Sequence, residues 1–340
     1  MNNIFFDHIK LNELISSNDY SSAARLLLRE QLKVWETLSQ SYNNLKSVQV
    51  KSFQYDGNVI KIQHNPGRVK SSTAKVDDKS IKERKCFLCL QNLYAEQRAL
   101  KYINDFLILV NPFPILPEHF TIPHLKHIPQ RIKGSFNIML ELSKSMQRDV
   151  IIYNGPKCGA SAPDHLHFQA GSKFFMPLDD EFHSLKNEYG EILVEKDNIV
   201  VSGVDDGLRR FISIETMDIT LAEKAFNNFY DAYSKISNDE VEPMMNILSL
   251  YEPEKEKGEF YGWRIVIFLR EKHRPSHFFR EGEGRILLSP AAVDFGGVCI
   301  LPFKEDYDSI RKQDITDIFN EVTIGKEQFE FVKAYLKKAF

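Results

Sequence analysis

The sequence predicts an α+β fold, and three observations carry the prediction. Short apolar runs bounded by turn residues read as strands near 47–64, 103–123 and 150–154, and again near 191–215, 244–251 and 262–270. Longer stretches near 19–46, 132–148 and 218–236 place apolar residues at helical spacing. The order strands, helix, strands therefore occurs twice, with no detectable sequence identity between the two passes.

Taken in order, residues 19–46 read as one amphipathic helix. Leu28, Leu32, Trp35, Leu38 and Tyr42 form its core stripe, with Asp19 or Ser21 as cap. Residues 47–64 alternate as strands around the turn signal Asp56-Gly57. A buried strand follows Ile103-Asn104-Asp105, and His119 to Pro123 returns from it. In the helix at 132–148, Phe136, Met139, Leu140 and Met146 face inward. Val150 to Asn154 is a buried strand leading into a loop of small residues. A second unit begins after about residue 180, carries the charged loop Glu252–Gly258 and ends in a helix over Lys326–Lys338. The division expected is 1–185 and 186–340.

Composition narrows the class. At 340 residues the chain can bury a sizeable core. Hydrophobic residues make up 43% and charged ones 27%, an ordinary water-soluble balance. A net charge of −3 gives no general drive toward nucleic acid or anionic membrane. The first residues lack the basic and apolar runs of a signal peptide, and no apolar stretch is long enough to span a bilayer. Four cysteines do not suggest a disulfide framework. The expected compartment is the cytoplasm.

The most informative stretch is His165-Leu166-His167-Phe168-Gln169. Residues two apart on a strand share a face, so both imidazoles and the amide line up. Before them runs Gly159-Ala160-Ser161-Ala162-Pro163-Asp164, a loop whose backbone N–H groups can approach an anion closely. An imidazole to attack phosphorus, with donors to hold its oxygens, is the chemistry this supplies. Two structural histidines on a half-buried strand are the blander alternative. Upstream, Arg68 and Lys75 stand among Gly, Ser and Thr, which suits phosphate contact; a solvated loop looks similar.

Cys86-Phe87-Leu88-Cys89 is a Cys-x-x-Cys knuckle suited to one metal ion. A redox pair is the rival, and the basic run Lys82–Lys85 with no Pro or Gly between the cysteines argues against it; two unrelated buried thiols are the blander alternative.

At these residues the chain resembles the nucleotidyl-transferring branch of the histidine-triad superfamily, whose motif ends in Gln. The branch includes galactose-1-phosphate uridylyltransferases, diadenosine tetraphosphate phosphorylases and GDP-hexose phosphorylases. The resemblance implies two tandem histidine-triad-like units, each an antiparallel sheet with packed helices, of which one keeps the nucleophile. It implies that His167 carries the nucleotide covalently, that Gln169 steadies the phosphate and that Ser161 contacts the other phosphate. Asn154 would orient His167 through its side chain or carbonyl. Arg68, Lys75, Asn104, Asp105, Gly159 and Ala160 would bind substrate, with Arg270 and Lys272 supplied by the second unit. Cys86, Cys89, His124 and His165 would hold a structural zinc, with His127 and His119 as fallbacks.

Similarity to GDP-hexose phosphorylases extends to Tyr153-Asn154, Met176-Pro177-Leu178 and the Ser289–Tyr307 region. The spacing from Ser161 to His165 agrees with theirs and is one residue longer than in uridylyltransferases, whereas the Cys knuckle is a uridylyltransferase feature. The activity implied is nucleotidyl transfer from a nucleoside diphosphate sugar or dinucleoside polyphosphate to phosphate or a sugar 1-phosphate. A hydrolase using the same histidine and a non-catalytic nucleotide-binding protein are the alternatives. Neither nucleic acid nor membrane is an expected partner, and a homodimer is allowed.

Overall fold

A computed structural model of the chain describes residues 4–69, 77–103, 105–196, 198–239, 241–253, 261–282 and 284–340. Among these, ten strands form one antiparallel sheet. The first five are β3 (Ala99–Tyr102), β4 (Phe106–Val110), β5 (His119–Pro123), β6 (Asp149–Asn154) and β7 (His167–Ser172). The second five are β8 (Gly190–Lys196), β9 (Ile199–Asp205), β10 (Arg210–Thr216), β11 (Met245–Glu252) and β12 (Gly262–Leu269). The spatial order is β3-β4-β5-β7-β6-β11-β12-β10-β9-β8. Each half thus runs from the outer edge inward as first, second, third, fifth, fourth strand. The halves meet head to head where β6 pairs β11, with Asn154 opposite Asn246. This is the expected tandem arrangement, fused into one sheet.

A helix links the third and fourth strands of each half, at Phe136–Ser145 and Ile219–Ser234. Their apolar stripes stack on each other through Phe136 and Phe226, 3.9 Å between ring centroids. Residues 19–46 form two helices rather than the single one expected, Tyr20–Val34 and Glu36–Leu45. Trp35 takes an extended backbone (φ −118°, ψ 95°) and is buried. Both helices bury their faces in the same core, so the apolar period runs through the break. Asp19 caps the first of them by accepting from the Ser22 N–H.

The opposite sheet face carries a second core. It is covered by the helix Pro177–Tyr189, the C-terminal segment 286–322, and a small sheet of β1 (Gln49–Gln54), β2 (Val59–His64) and β13 (Val298–Leu301). Since β13 pairs parallel with β2, the end of the chain returns to pack on the first half. No helix among the described residues is long and apolar enough to cross a membrane.

Candidate active site and metal centre

Strand period places His167 and Gln169 on the second-core face of β7, while Leu166, Phe168 and Ala170 enter the helix-covered core. His119 of β5 and Asn154 of β6 sit on the same face as Gln169. The pairing of Thr121 and Ile152 with Gln169 sets that register.

The backbone of His167 is clamped by the buried side chain of Gln130. Its Oε1 accepts from the His167 N–H at 2.7 Å, and its Nε2 donates to the carbonyls of His167 and Asn154. The His167 ring lies 2.8 Å through Nδ1 from the carbonyl of His165. A carbonyl only accepts, so Nδ1 carries the proton and Nε2 carries the lone pair. Burial pushes the ring's pKa down to about 4, which keeps it neutral near pH 7. The expectation that Asn154 orients this ring is corrected, because the His165 carbonyl already holds Nδ1. Asn154 Oδ1 accepts from Asn246 Nδ2 and the Ala292 N–H instead.

Gln169 is oriented by a residue assigned another role from sequence. His119 is fully buried. Its Nδ1 accepts from the Ile115 N–H, so Nε2 bears the proton and donates to Gln169 Oε1 at 2.7 Å. Burial pushes the His119 pKa down to about 3, so this pattern persists at any working pH. The Gln169 amide is thereby left with its NH2 group to offer.

A cavity of about 110 Å³ opens at Gln169, lined also by Arg68, Asn154, Gly159, Ala160, Ser161 and Asp294. His167 is only 3% exposed and does not join that lining, whereas Gln169, next on its face, does. Asn154, with Oδ1 engaged, offers its NH2; Ser161 offers a hydroxyl; Arg68 offers a guanidinium anchored by one bond to the Phe113 carbonyl. Such a set of donors suits the oxygens of a phosphoryl group. Gly159 has φ +91°, and a Cβ there would lie 2.5 Å from that of Ala291, so the loop touches the second half's extension. Asp294, held by the Ala291 and Ile300 N–H groups, is pushed up to about 6 by burial.

Other expected substrate contacts fare differently. Arg270 is consumed internally: its N–H groups donate to Val322, Asn246, Pro290, Lys272 and His273. It supports Asn246, and through it Asn154, and it lines a larger neighbouring cavity rather than the small one. Lys272 pairs with Glu321 at 3.1 Å and lies outside the small cavity's lining. Of the basic cluster at 270–274, it is His273 and Arg274 that line it. Asp105 sits at the entrance to β4, with its carbonyl accepting from the Leu125 N–H, and does not line this cavity. Lys75 and Asn104 lie outside the described residues.

Beside the site, Cys86, Cys89, His127 and His165 place four donor atoms within 4.8 Å of one another. His127 replaces the expected His124, whose Nδ1 meets the backbone of Lys126 and whose carbonyl accepts from His165 Nε2. The cluster fits a tetrahedral ion. Ligands about 2.0–2.3 Å from zinc stand about 3.6 Å apart; here Cys86–His165, Cys89–His127 and Cys89–His165 are 3.3, 3.2 and 3.6 Å. Both histidines turn Nδ1 inward, and both have an outer partner. His165 Nε2 bonds the His124 carbonyl at 2.7 Å, and His127 Nε2 lies 3.4 Å from Asp164, itself paired with Arg84. Outer partners of this kind orient metal-binding imidazoles. All four cysteines of the chain are free.

In the second half, the matching end of β12 carries Arg264. Its guanidinium stacks 4.4 Å over Phe182 and bonds His183, so side chains fill the place.

Residues 255–340 match the model of the GDPGP1-like C-terminal domain, and residues 27–172 match a domain of unknown function, DUF4922. Among solved structures, the chain is similar to yeast Ap4A phosphorylase Apa2 in complex with Ap4A. The identity is 14%, over 85% of this chain and 96% of that one, with a TM-score of 0.55. The same protein in complex with AMP gives 13%, 88%, 96% and 0.53. At these identities the likeness is one of fold. No curated protein sequence matches the chain.

Proposed function

We propose that the chain is a nucleotidyltransferase working through a covalent nucleotidyl-histidine, and that it phosphorolyses a nucleoside diphosphate sugar or a dinucleoside polyphosphate. One observation carries the reading: the proton on His167 Nδ1 is fixed by the His165 carbonyl, which leaves a neutral, buried lone pair at Nε2. In the first step Nε2 bonds the α-phosphorus as the bond to the leaving phosphate oxygen breaks. The leaving group departs as a sugar phosphate or nucleotide. In the second step an oxygen of phosphate or of a sugar 1-phosphate takes the phosphorus, and the N–P bond returns its electron pair to Nε2. The NH2 groups of Gln169 and Asn154, the Ser161 hydroxyl and Arg68 stabilise charge on the phosphoryl oxygens in both steps. We assign zinc to the four-residue cluster in a structural role, clamping His165 so that its carbonyl aims His167.

The test is to incubate the protein with nucleoside diphosphate sugars and dinucleoside polyphosphates without acceptor, then map the adduct by mass spectrometry. A nucleotidyl group on His167, absent in His167→Ala, is the expected result; an adduct elsewhere, or undiminished turnover in the variant, overturns it. With phosphate added, nucleoside diphosphate as product supports phosphorolysis, and monophosphate alone would favour the hydrolase.

A further inference from the structure

One titratable group in the wall of the small cavity takes no part in the two displacement steps, the carboxyl of Asp294. It belongs to the short helix Ala292–Phe295 and is buried. Both of its oxygens are held from behind: Oδ2 accepts from the Ala291 N–H at 2.8 Å and Oδ1 from the Ile300 N–H at 3.2 Å. An ionised carboxyl has about four lone-pair sites, so each oxygen keeps room for another donor. Arg68, His273 and Arg274 line the same cavity, and the Arg270 charge and the Cys299 thiol lie near enough to act on the carboxyl. Burial pushes its pKa up to about 6, against the two N–H bonds and Arg270, so at neutral pH the group is mainly a carboxylate, an acceptor.

At about 30 Å³ per water, 110 Å³ is the room of one phosphate with little to spare. His167 does not join the lining, which leaves the cavity to the phosphate that departs or arrives. The groups offered to it by Gln169, Asn154, Ser161 and Arg68 are donors, and Asp294 stands among them as an acceptor. A carboxylate repels an anion that brings no proton and makes a strong hydrogen bond to one that does. Hydrogenphosphate, the dianion of inorganic phosphate, still carries one proton. Sulfate carries none. The dianion of a phosphate monoester carries none either, its second pKa being about 6. Either of these can enter only if Asp294 first takes a proton from solvent.

We propose that Asp294 is the residue that selects inorganic phosphate as the acceptor, by taking a hydrogen bond from the proton of hydrogenphosphate. The inference rests on the nucleotidyl-transfer reading and narrows its acceptor. The phosphate monoester set free in the first step and the inorganic phosphate of the second use one pocket in turn. The carboxylate disfavours the monoester once it is a dianion and favours its successor. In the second step one of the three unprotonated oxygens of hydrogenphosphate bonds the α-phosphorus, and the N–P bond breaks with its electron pair returning to His167 Nε2. The proton stays on the terminal phosphate of the nucleoside diphosphate, bonded to Asp294, and passes to solvent after release.

Calorimetric titration of the full chain tests it, with inorganic phosphate, sulfate and glucose 1-phosphate as probes. Buffers of different ionisation enthalpy report the protons taken up on binding. At about pH 7.5 phosphate should bind about tenfold or more tighter than the other two, each of which should take up about one proton. Lowering the pH to about 5.5 should close the gap, because Asp294 is then protonated beforehand. Asp294→Asn puts an NH2 group where the carboxylate stood, so it should lose the preference for phosphate and bind sulfate without proton uptake. Equal affinity of the wild type for phosphate and sulfate at the higher pH overturns the proposal. So does sulfate binding with no proton uptake, or a preference that survives in Asp294→Asn. Should that variant fail to fold, proton uptake by the wild type decides alone. Failure of the His167 adduct with an intact Asp294-dependent preference would remove the reaction and keep the phosphate pocket; an adduct on His167 with no such preference would keep the reaction and remove Asp294 from this role.

Discussion

At the scale of single residues, the proposed phosphate site depends on which atom of Gln169 faces the small cavity. His119 decides this, since its protonated Nε2 takes Oε1 and leaves the NH2. His119→Leu frees the amide to turn its oxygen toward an anion. The expected result is a turnover number lower by tenfold or more, with a smaller change in KM, the cost of a lost and partly inverted hydrogen bond, roughly 1–3 kcal/mol. His119→Gln, which can still donate, should recover much of it, and His119→Leu in a Gln169→Ala background should add nothing. Additive losses in the double variant would remove His119 from this role. That His167 and Gln169 share a face was legible, because period two puts them there. His119, Gln130 and Asn246 were not, since buried hydrogen-bonding partners carry no spacing signature. His127 was a fallback because a loop, unlike a strand, gives no rule for which of two nearby histidines turns inward.

At the scale of elements, the cluster of Cys86, Cys89, His127 and His165 pins the start of β7. His165 belongs to the cluster through its ring and holds His167 through its carbonyl. Burial, with the neighbouring Cys86 thiol, pushes Cys89 up to about 11, so a cation is what would make these sulfurs thiolates. Elemental analysis of protein purified without chelator should find one zinc per chain. Cys86→Ser with Cys89→Ser should lose it, with a lower Tm and reduced turnover, while His124→Ala should retain it. Loss of metal in His124→Ala with retention in His127→Ala would reverse the ligand assignment. Most strands and helices were legible from their periods. The break at Trp35 was not, because two helices burying faces in one core keep a single apolar register.

At the scale of the whole molecule, buried ionisable groups of opposite tendency shape the response to pH. His119, His167 and His273 are pushed from 6.5 to about 3, 4 and 4. Their folded values lie below the unfolded ones, so the stability they contribute is present above 6.5 and is lost as pH falls toward 4. Burial raises Glu242 from 4.5 to about 7, although it accepts from Tyr153 and the Ile132 N–H. Its contribution is present below 4.5 and is lost as pH rises through 7, by up to about 3 kcal/mol. Glu242→Gln removes that loss. Between about pH 5 and about pH 8 the variant's Tm relative to wild type should therefore shift in its favour; a constant difference would show that Glu242 ionises normally. The repeated strand order was legible in the sequence. The single ten-stranded sheet and the return of residues 286–322 over the first half were not, because pairing between distant strands leaves no local mark.

The seam between β6 and β11 has a consequence for anyone who would divide the gene. Cut between the halves, each fragment would end its sheet in a naked inner strand, six or eight residues long, with its ladder of N–H and C=O groups open to any passing chain. Expressed apart, the fragments should clump. Expressed together, they should recognise each other along that edge and rebuild the pocket that Gly159 and Ala291 close between them, which makes the protein a ready template for a split reporter.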